Sequence, residues 1–161
     1  MNQKSPAQLL SQSPHFGVLL SPTPRGARLA RLLAVEWLRT KPELPYRVVE
    51  NAEHVVAELA TNAATHGRVA GRNLRLALIA QEETLRIEVT DTRDDALPRL
   101  RPPDGESGRG LLLVDALADR WGVDLGPVPC KTVWAELDLR LSPPSPSAVP
   151  CPVPGPPGPG V

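Results

Sequence analysis

The stretch Val55-Val56-Ala57-Glu58-Leu59-Ala60-Thr61-Asn62-Ala63-Ala64-Thr65-His66-Gly67 decides how the rest of this chain is read. Counted back to Val48, the residues Val48, Ala52, Val55, Leu59 and Ala63 recur at the spacing of one helix face. Lys41-Pro42-Glu43-Leu44-Pro45 breaks the chain before this run, and Gly67 is its natural C-terminal stop. A helix is therefore expected over Tyr46–His66. Glu58 and Asn62 stand one turn apart at the margin of its apolar stripe, and Asn51 falls near the same angular position two turns earlier. A Glu-x-x-x-Asn pair ordinarily marks a solvated face. At the floor of a pocket the same pair does chemistry: the carboxylate acts as a base and the amide oxygen ligates Mg²⁺.

Outward from this helix, Phe16–Leu20 reads as a short strand. Thr23-Pro24 then places an N-cap before a proline at the first helical position, so a second helix is expected over Pro24–Thr40. Leu29, Leu32, Leu33, Val35 and Leu38 are its expected apolar face. Arg25, Arg28, Arg31 and Arg39 form a basic outer face, which is solvated or docks a protein.

On the C-terminal side, Leu74, Leu76 and Leu78 alternate, Gln81-Glu82-Glu83 turns the chain, and Leu85, Ile87 and Val89 alternate again. That pattern predicts an antiparallel hairpin with one buried face. Asp91 closes the second strand, either as a turn residue or as an acceptor for the exocyclic amine of a base. Thr92–Glu106 has no periodicity, and a loop of that length in a compact domain is often functional. Ser107-Gly108-Arg109-Gly110-Leu111 leads into a helix expected over Leu111–Ala118. Its glycines make a tight loop or let backbone N–H groups approach phosphate oxygens at the positive helix end. Strands over Trp121–Leu125 and Lys131–Leu139, joined through Gly126-Pro127-Val128-Pro129, complete the order. The expected fold is a two-layer α/β sandwich, its mixed and mostly antiparallel sheet covered on one face by helices.

The 161 residues hold one domain, expected over 15–141, between a flexible 1–14 and a proline-rich tail over 142–161. The tail carries no aromatic or charged residue and is expected to be disordered. Lys plus Arg and Asp plus Glu balance at 18 each, so no overall field draws the chain to nucleic acid or to an acidic membrane. Cys130 and Cys151 match neither a disulfide framework nor a zinc site. With no apolar signal core and no stretch of membrane-spanning length, a cytoplasmic location is expected. Trp37, Trp121 and Trp134 are expected in the core, and His54 in solvent.

The order of these segments resembles a known superfamily. Val55–Gly67 is similar to the N box of the GHKL (Bergerat-fold) ATPases, which include gyrase, histidine kinases and anti-sigma kinases. Ile87-Glu88-Val89-Thr90-Asp91 resembles the lead into the G1 box, and Ser107–Val114 the G2 box. Lys131–Leu137 resembles the closing strand with its nucleotide-site threonine. The likeness spans about Phe16 to Leu139 and is strongest to the short anti-sigma regulatory kinases, which phosphorylate a serine on an antagonist protein and otherwise sequester a sigma factor. The resemblance implies ATP and Mg²⁺, a sigma factor and an anti-sigma-factor antagonist as partners, and a homodimer. It makes Glu58 the general base, Asn62 the Mg²⁺ ligand and Asp91 the adenine reader. Gly108, Arg109, Gly110 and Leu111 would hold the phosphates, and Thr132 would support adenine. One departure stands out: the family's Asp-x-Gly is here Asp91-Thr92-Arg93. That leaves two alternatives open, a non-catalytic module that binds a regulator and the detached catalytic domain of a sensor histidine kinase. The latter needs a phosphoacceptor histidine on a dimerising helix pair, a setting that none of His15, His54 and His66 has.

Overall fold

A computed structural model of the chain describes residues 15–66, 72–91, 109–126 and 130–140, with the backbone alone described at His66 and Arg109. The expectations for 1–14, Gly67, the loop with Arg93, Gly108, Cys151 and the tail over 142–161 lie outside the described residues.

Eight elements follow one another: β1 (His15–Leu20), α1 (Pro24–Arg39), α2 (Tyr46–His66), β2 (Leu74–Ala80), β3 (Thr84–Asp91), α3 (Arg109–Leu117), β4 (Arg120–Leu125) and β5 (Lys131–Asp138). The strands form one sheet in the order β1-β2-β3-β5-β4. Every described ladder is antiparallel, so the mixed sheet that was expected is antiparallel throughout the described residues. Helices cover one face of it.

Local chemistry sets the element ends. Thr23 caps α1 with extended backbone, its hydroxyl accepting from the Gly26 N–H at 3.1 Å, and Pro24 follows where no N–H is needed. A Cβ on Gly26 would overlap the Ser21 carbonyl oxygen, so the glycine lets α1 start tight against the end of β1. The Pro45 carbonyl accepts from Val48 and Val49 at the start of α2. Arg47 on the first turn of α2 donates to the carbonyls of Asp138 and Arg140, tying that end of the helix to the end of β5.

The core lies between the layers. Val48, Ala52, Val55, Leu59 and Ala63 of α2 are all buried, as their spacing predicts. They meet Leu74, Leu76 and Leu78 of β2 and Leu85, Ile87 and Val89 of β3, which are buried too. Each such Leu or Ile contributes roughly 1.5–3 kcal/mol of transfer free energy.

The expected face of α1 needs correcting. Its buried residues are Gly26, Ala27, Ala30, Ala34 and Leu38, whereas Leu29 is 43% and Leu32 57% exposed. Small residues take the interior positions of α1, which packs against α2, whose buried residues include the equally small Ala60, Ala63 and Ala64. Leu38 alone of the expected leucines is fully inside.

The opposite sheet face carries a network of charges. Arg86 bonds Glu88 at 2.7 Å and Glu136 at 2.8 Å, and Arg120 bonds Glu136 and Asp138. Hydrogen bonds from Arg86, reinforced by Arg120, hold the Glu136 carboxyl below its ordinary range against the opposing effect of burial. The Arg86 guanidinium also stacks 4.4 Å from the centroid of Trp134, whose ring covers Gly122. Trp134 therefore belongs to this outer face and not to the core between the layers. Trp37 is partly buried beside Phe16, and Trp121 is half-buried and donates to Asp115.

Candidate functional site

The three polar residues on the margin of the α2 stripe all face α3. The Asn51 amide donates to the Leu117 carbonyl at 3.3 Å, holding the C-terminal end of α3. At the other end of α3, a Cβ built on Gly110 would lie 2.5 Å from Oε2 of Glu58, 3.5 Å from its Cδ and 3.6 Å from Nδ2 of Asn62. The two helices therefore run antiparallel, and the start of α3 sits directly on the Glu58–Asn62 pair. Only glycine leaves room there.

The first turn of α3 begins at Arg109, so the N–H groups of Gly110 and Leu111 have no acceptor within the helix. They lie at the positive end of the helix, beside Glu58 and Asn62. Buried Leu111 and Val114 fix α3 to the core behind it. Glu58 and Asn62 are half-buried, which leaves their polar ends reachable. An amide oxygen and a carboxylate are hard donors of the type that suits magnesium, with phosphate oxygens completing its shell. The groups gathered at this contact, a carboxylate, an amide and the first N–H groups of a helix, are of the types that suit a magnesium-bound phosphate.

Asp91 stands at the end of β3 on the sheet face that the helices cover, and it is 4% exposed. Arg47 fixes the start of α2 at the Asp138 end of the β3–β5 ladder, so Glu58 and Asn62 lie toward the Asp91 end. Thr132 does not join these residues, and the expectation for it is corrected. β5 alternates, with Lys131, Val133, Ala135 and Leu137 turned to the helices and Thr132, Trp134 and Glu136 turned away. The Thr132 hydroxyl lies 2.8 Å from that of Thr90 on the open face. The residue that faces Asp91 is Lys131, directly opposite in the ladder, with Nζ 3.4 Å from Oδ2. Sequence reasoning passed over Lys131, although the alternation through buried Val133, Ala135 and Leu137 carried the signal. Gly108 lies outside the described residues, as does the side chain of Arg109.

Away from this site, a groove of about 270 Å³ runs between α1 and α2, lined by Ala27, Arg28, Arg31, Thr61, Ala64 and Thr65 among others. It contains Arg28 and Arg31, two of the four arginines of the basic face of α1; Arg31 is paired with Glu53 at 2.6 Å. No helix among the described residues is long and apolar enough to cross a membrane.

A 72-residue segment is 42% identical to the uncharacterized protein SCO4941 of Streptomyces coelicolor, covering 40% of this chain and 68% of that protein. The fold is similar to a crystal structure of the RsbU and RsbW domains of Rv1364c from Mycobacterium tuberculosis, with a TM-score of 0.61 at 20% identity. That match covers 78% of this chain but only 32% of the solved chain. The model of the histidine kinase-like ATPase domain matches residues 20–136, from the end of β1 to Glu136 of β5. A match of that extent, over a sheet and helices in the order that the N, G1 and G2 segments imply, means that this chain belongs to the histidine kinase-like ATPase domain family.

Proposed function

We propose that the chain binds ATP with Mg²⁺ between α2 and the start of α3 and transfers the terminal phosphoryl group to a serine of an antagonist protein. In the unphosphorylated arm of the cycle it sequesters a sigma factor in the cytoplasm, acting as a homodimer. The observation that carries this reading is the convergence of Glu58 and Asn62 on the Gly110 backbone.

In the mechanism the chain supplies position and charge, which is most of what phosphoryl transfer requires of a protein. The backbone N–H groups of Gly110 and Leu111 would orient the phosphate chain, and the family resemblance assigns Gly108 and Arg109 to the same task. The amide oxygen of Asn62 would hold Mg²⁺, which when bound neutralises charge on the phosphate oxygens. Glu58 accepts the proton of the attacking serine hydroxyl at its carboxylate. Asp91 accepts a hydrogen bond from the exocyclic amine of adenine. The serine specificity rests on the family resemblance.

Incubation with labelled ATP, Mg²⁺ and a cognate antagonist is expected to label a serine, and Glu58→Ala to abolish the label. Labelling that survives Glu58→Ala rejects the base assignment; failure to bind ATP with Mg²⁺, together with no labelling, favours the non-catalytic module, and tight Mg²⁺-dependent ATP binding argues against it.

A further inference from the structure

We propose that the outer face of α1 is the seam of the homodimer, where the same helix of a second copy packs antiparallel across a two-fold axis. The inference rests on the homodimer of the functional reading and assigns it a surface.

Spacing and exposure define the face. At the pitch of an α-helix, Arg25, Leu29, Leu32 and Glu36 fall within a sector of about 60° on α1. Their intervals of four, three and four residues are those of a heptad seam, the pattern by which one helix meets another. The sector lies on the opposite side of α1 from Gly26, Ala27, Ala30, Ala34 and Leu38, which are buried. Leu29 is 43% and Leu32 57% exposed. A single exposed leucine is ordinary, but two of them one turn apart, bracketed by an arginine and a glutamate, form a patterned patch. Arg28 and Arg31 turn toward α2, where they line the groove, and take no part in it.

This pattern is complementary to itself. In a two-fold pair, whatever residue one copy sets against the other is met by the reciprocal contact. An axis passing level with the midpoint between Ala30 and Arg31 sets Leu29 against Leu32 of the second copy, and the same axis sets Arg25 against Glu36 of the second copy. The leucines close on one another at the centre, and each arginine meets a glutamate at the rim. A parallel pair would oppose arginine to arginine and glutamate to glutamate, so the charges select the antiparallel arrangement. Within its own chain Glu36 pairs with Arg39, and the two side chains are 71% and 69% exposed. Such an exposed pair is worth little and leaves the carboxylate available to a second copy. One helix face is small for a specific interface, so the dimer is expected to be weak, with a roughly micromolar dissociation constant.

Sedimentation equilibrium of the full chain through the micromolar range tests the seam, with circular dichroism and thermal melts as checks on folding. The unsubstituted chain is expected to show a monomer–dimer equilibrium. Leu32→Glu places a charge at the centre of the seam and is expected to weaken association by about tenfold or more. Arg25→Glu and Glu36→Arg each oppose like charges and are expected to weaken it by about three- to tenfold. The double variant Arg25→Glu with Glu36→Arg reverses both partners and is expected to return to within about threefold of the unsubstituted chain. Helix content and melting of the monomer are expected to stay as they were, because all the substituted side chains are exposed. Should Leu32→Glu fail to fold, Leu29→Gln gives the same reading at the other leucine. A dimer indifferent to Leu32→Glu, or single charge variants that the double variant does not rescue, overturns this surface and leaves the homodimer standing at another one. A chain that is monomeric throughout the range overturns the homodimer and this inference together, and leaves the leucines to a protein of another kind.

Discussion

Gly110→Ala separates the chemistry of the site from the stability of the fold. The added methyl would lie 2.5 Å from Oε2 of Glu58. Carbon and oxygen at ordinary contact need roughly 3.5 Å, so the carboxylate must retreat by about 1 Å. Glu58 is half-buried and flexible at its end, so the side chain gives way and the backbone of α3 stays in place. Gly110 is the second residue of α3, where the preference for Ala over Gly is smaller than the roughly 1 kcal/mol of a helix interior but has the sign that offsets the cost of displacing Glu58. Thermal unfolding is therefore expected to change by no more than a few degrees. Phosphoryl transfer is far more sensitive, since a misplacement of about 1 Å in a catalytic group costs on the order of a hundredfold. Thermal melts and transfer of label from ATP to the antagonist, measured on the same preparation, check both halves. A variant that keeps its melting temperature and full transfer activity would refute the claim that Gly110 sets the position of Glu58.

Three further outcomes follow from the fold. Gly26→Ala drives a methyl into the Ser21 carbonyl and is expected to destabilise by about 1–3 kcal/mol in urea unfolding, despite the better helix former. Thr23→Ala removes the 3.1 Å cap bond to Gly26 and is expected to cost about 1 kcal/mol in the same measurement. The Glu136 carboxyl is held below its ordinary value of 4.5 in the folded chain, chiefly by Arg86. Its contribution is therefore complete above that ordinary value and is lost as pH falls through the depressed one; Glu136→Gln is expected to flatten the acid limb of the stability profile and leave the neutral region sloped as before.

How legible each element was depended on which physical pressure wrote its residues. α2 and the β2–β3 hairpin were readable because large apolar side chains recur at one period and all point inward, from Val48 to Ala63 and from Leu74 to Val89. α1 carries two stripes, one of leucine and one of alanine. Hydropathy alone favours leucine, yet the alanine stripe is the one turned inward, and Leu29 and Leu32 are left exposed. The convergence of Glu58, Asn62 and Gly110 was readable as an order of motifs, but their contact depends on α3 running antiparallel to α2, which no local pattern states. Lys131 was missed because a lysine inside a strand is read as surface by default. Its burial becomes visible only through the alternation of its own strand and the carboxylate opposite, two residues distant from it in different ways: one in sequence, one across a ladder.

The central claim is that nucleotide is held between Glu58–Asn62 and the start of α3. A crystal structure with Mg²⁺ and a nonhydrolysable ATP analogue tests it most directly. The account predicts the phosphate chain on the backbone N–H groups of Gly110 and Leu111, with the Asn62 amide oxygen on the metal. An analogue bound elsewhere, for example in the groove beside Arg28, with hydrocarbon filling the space before Glu58, would contradict it.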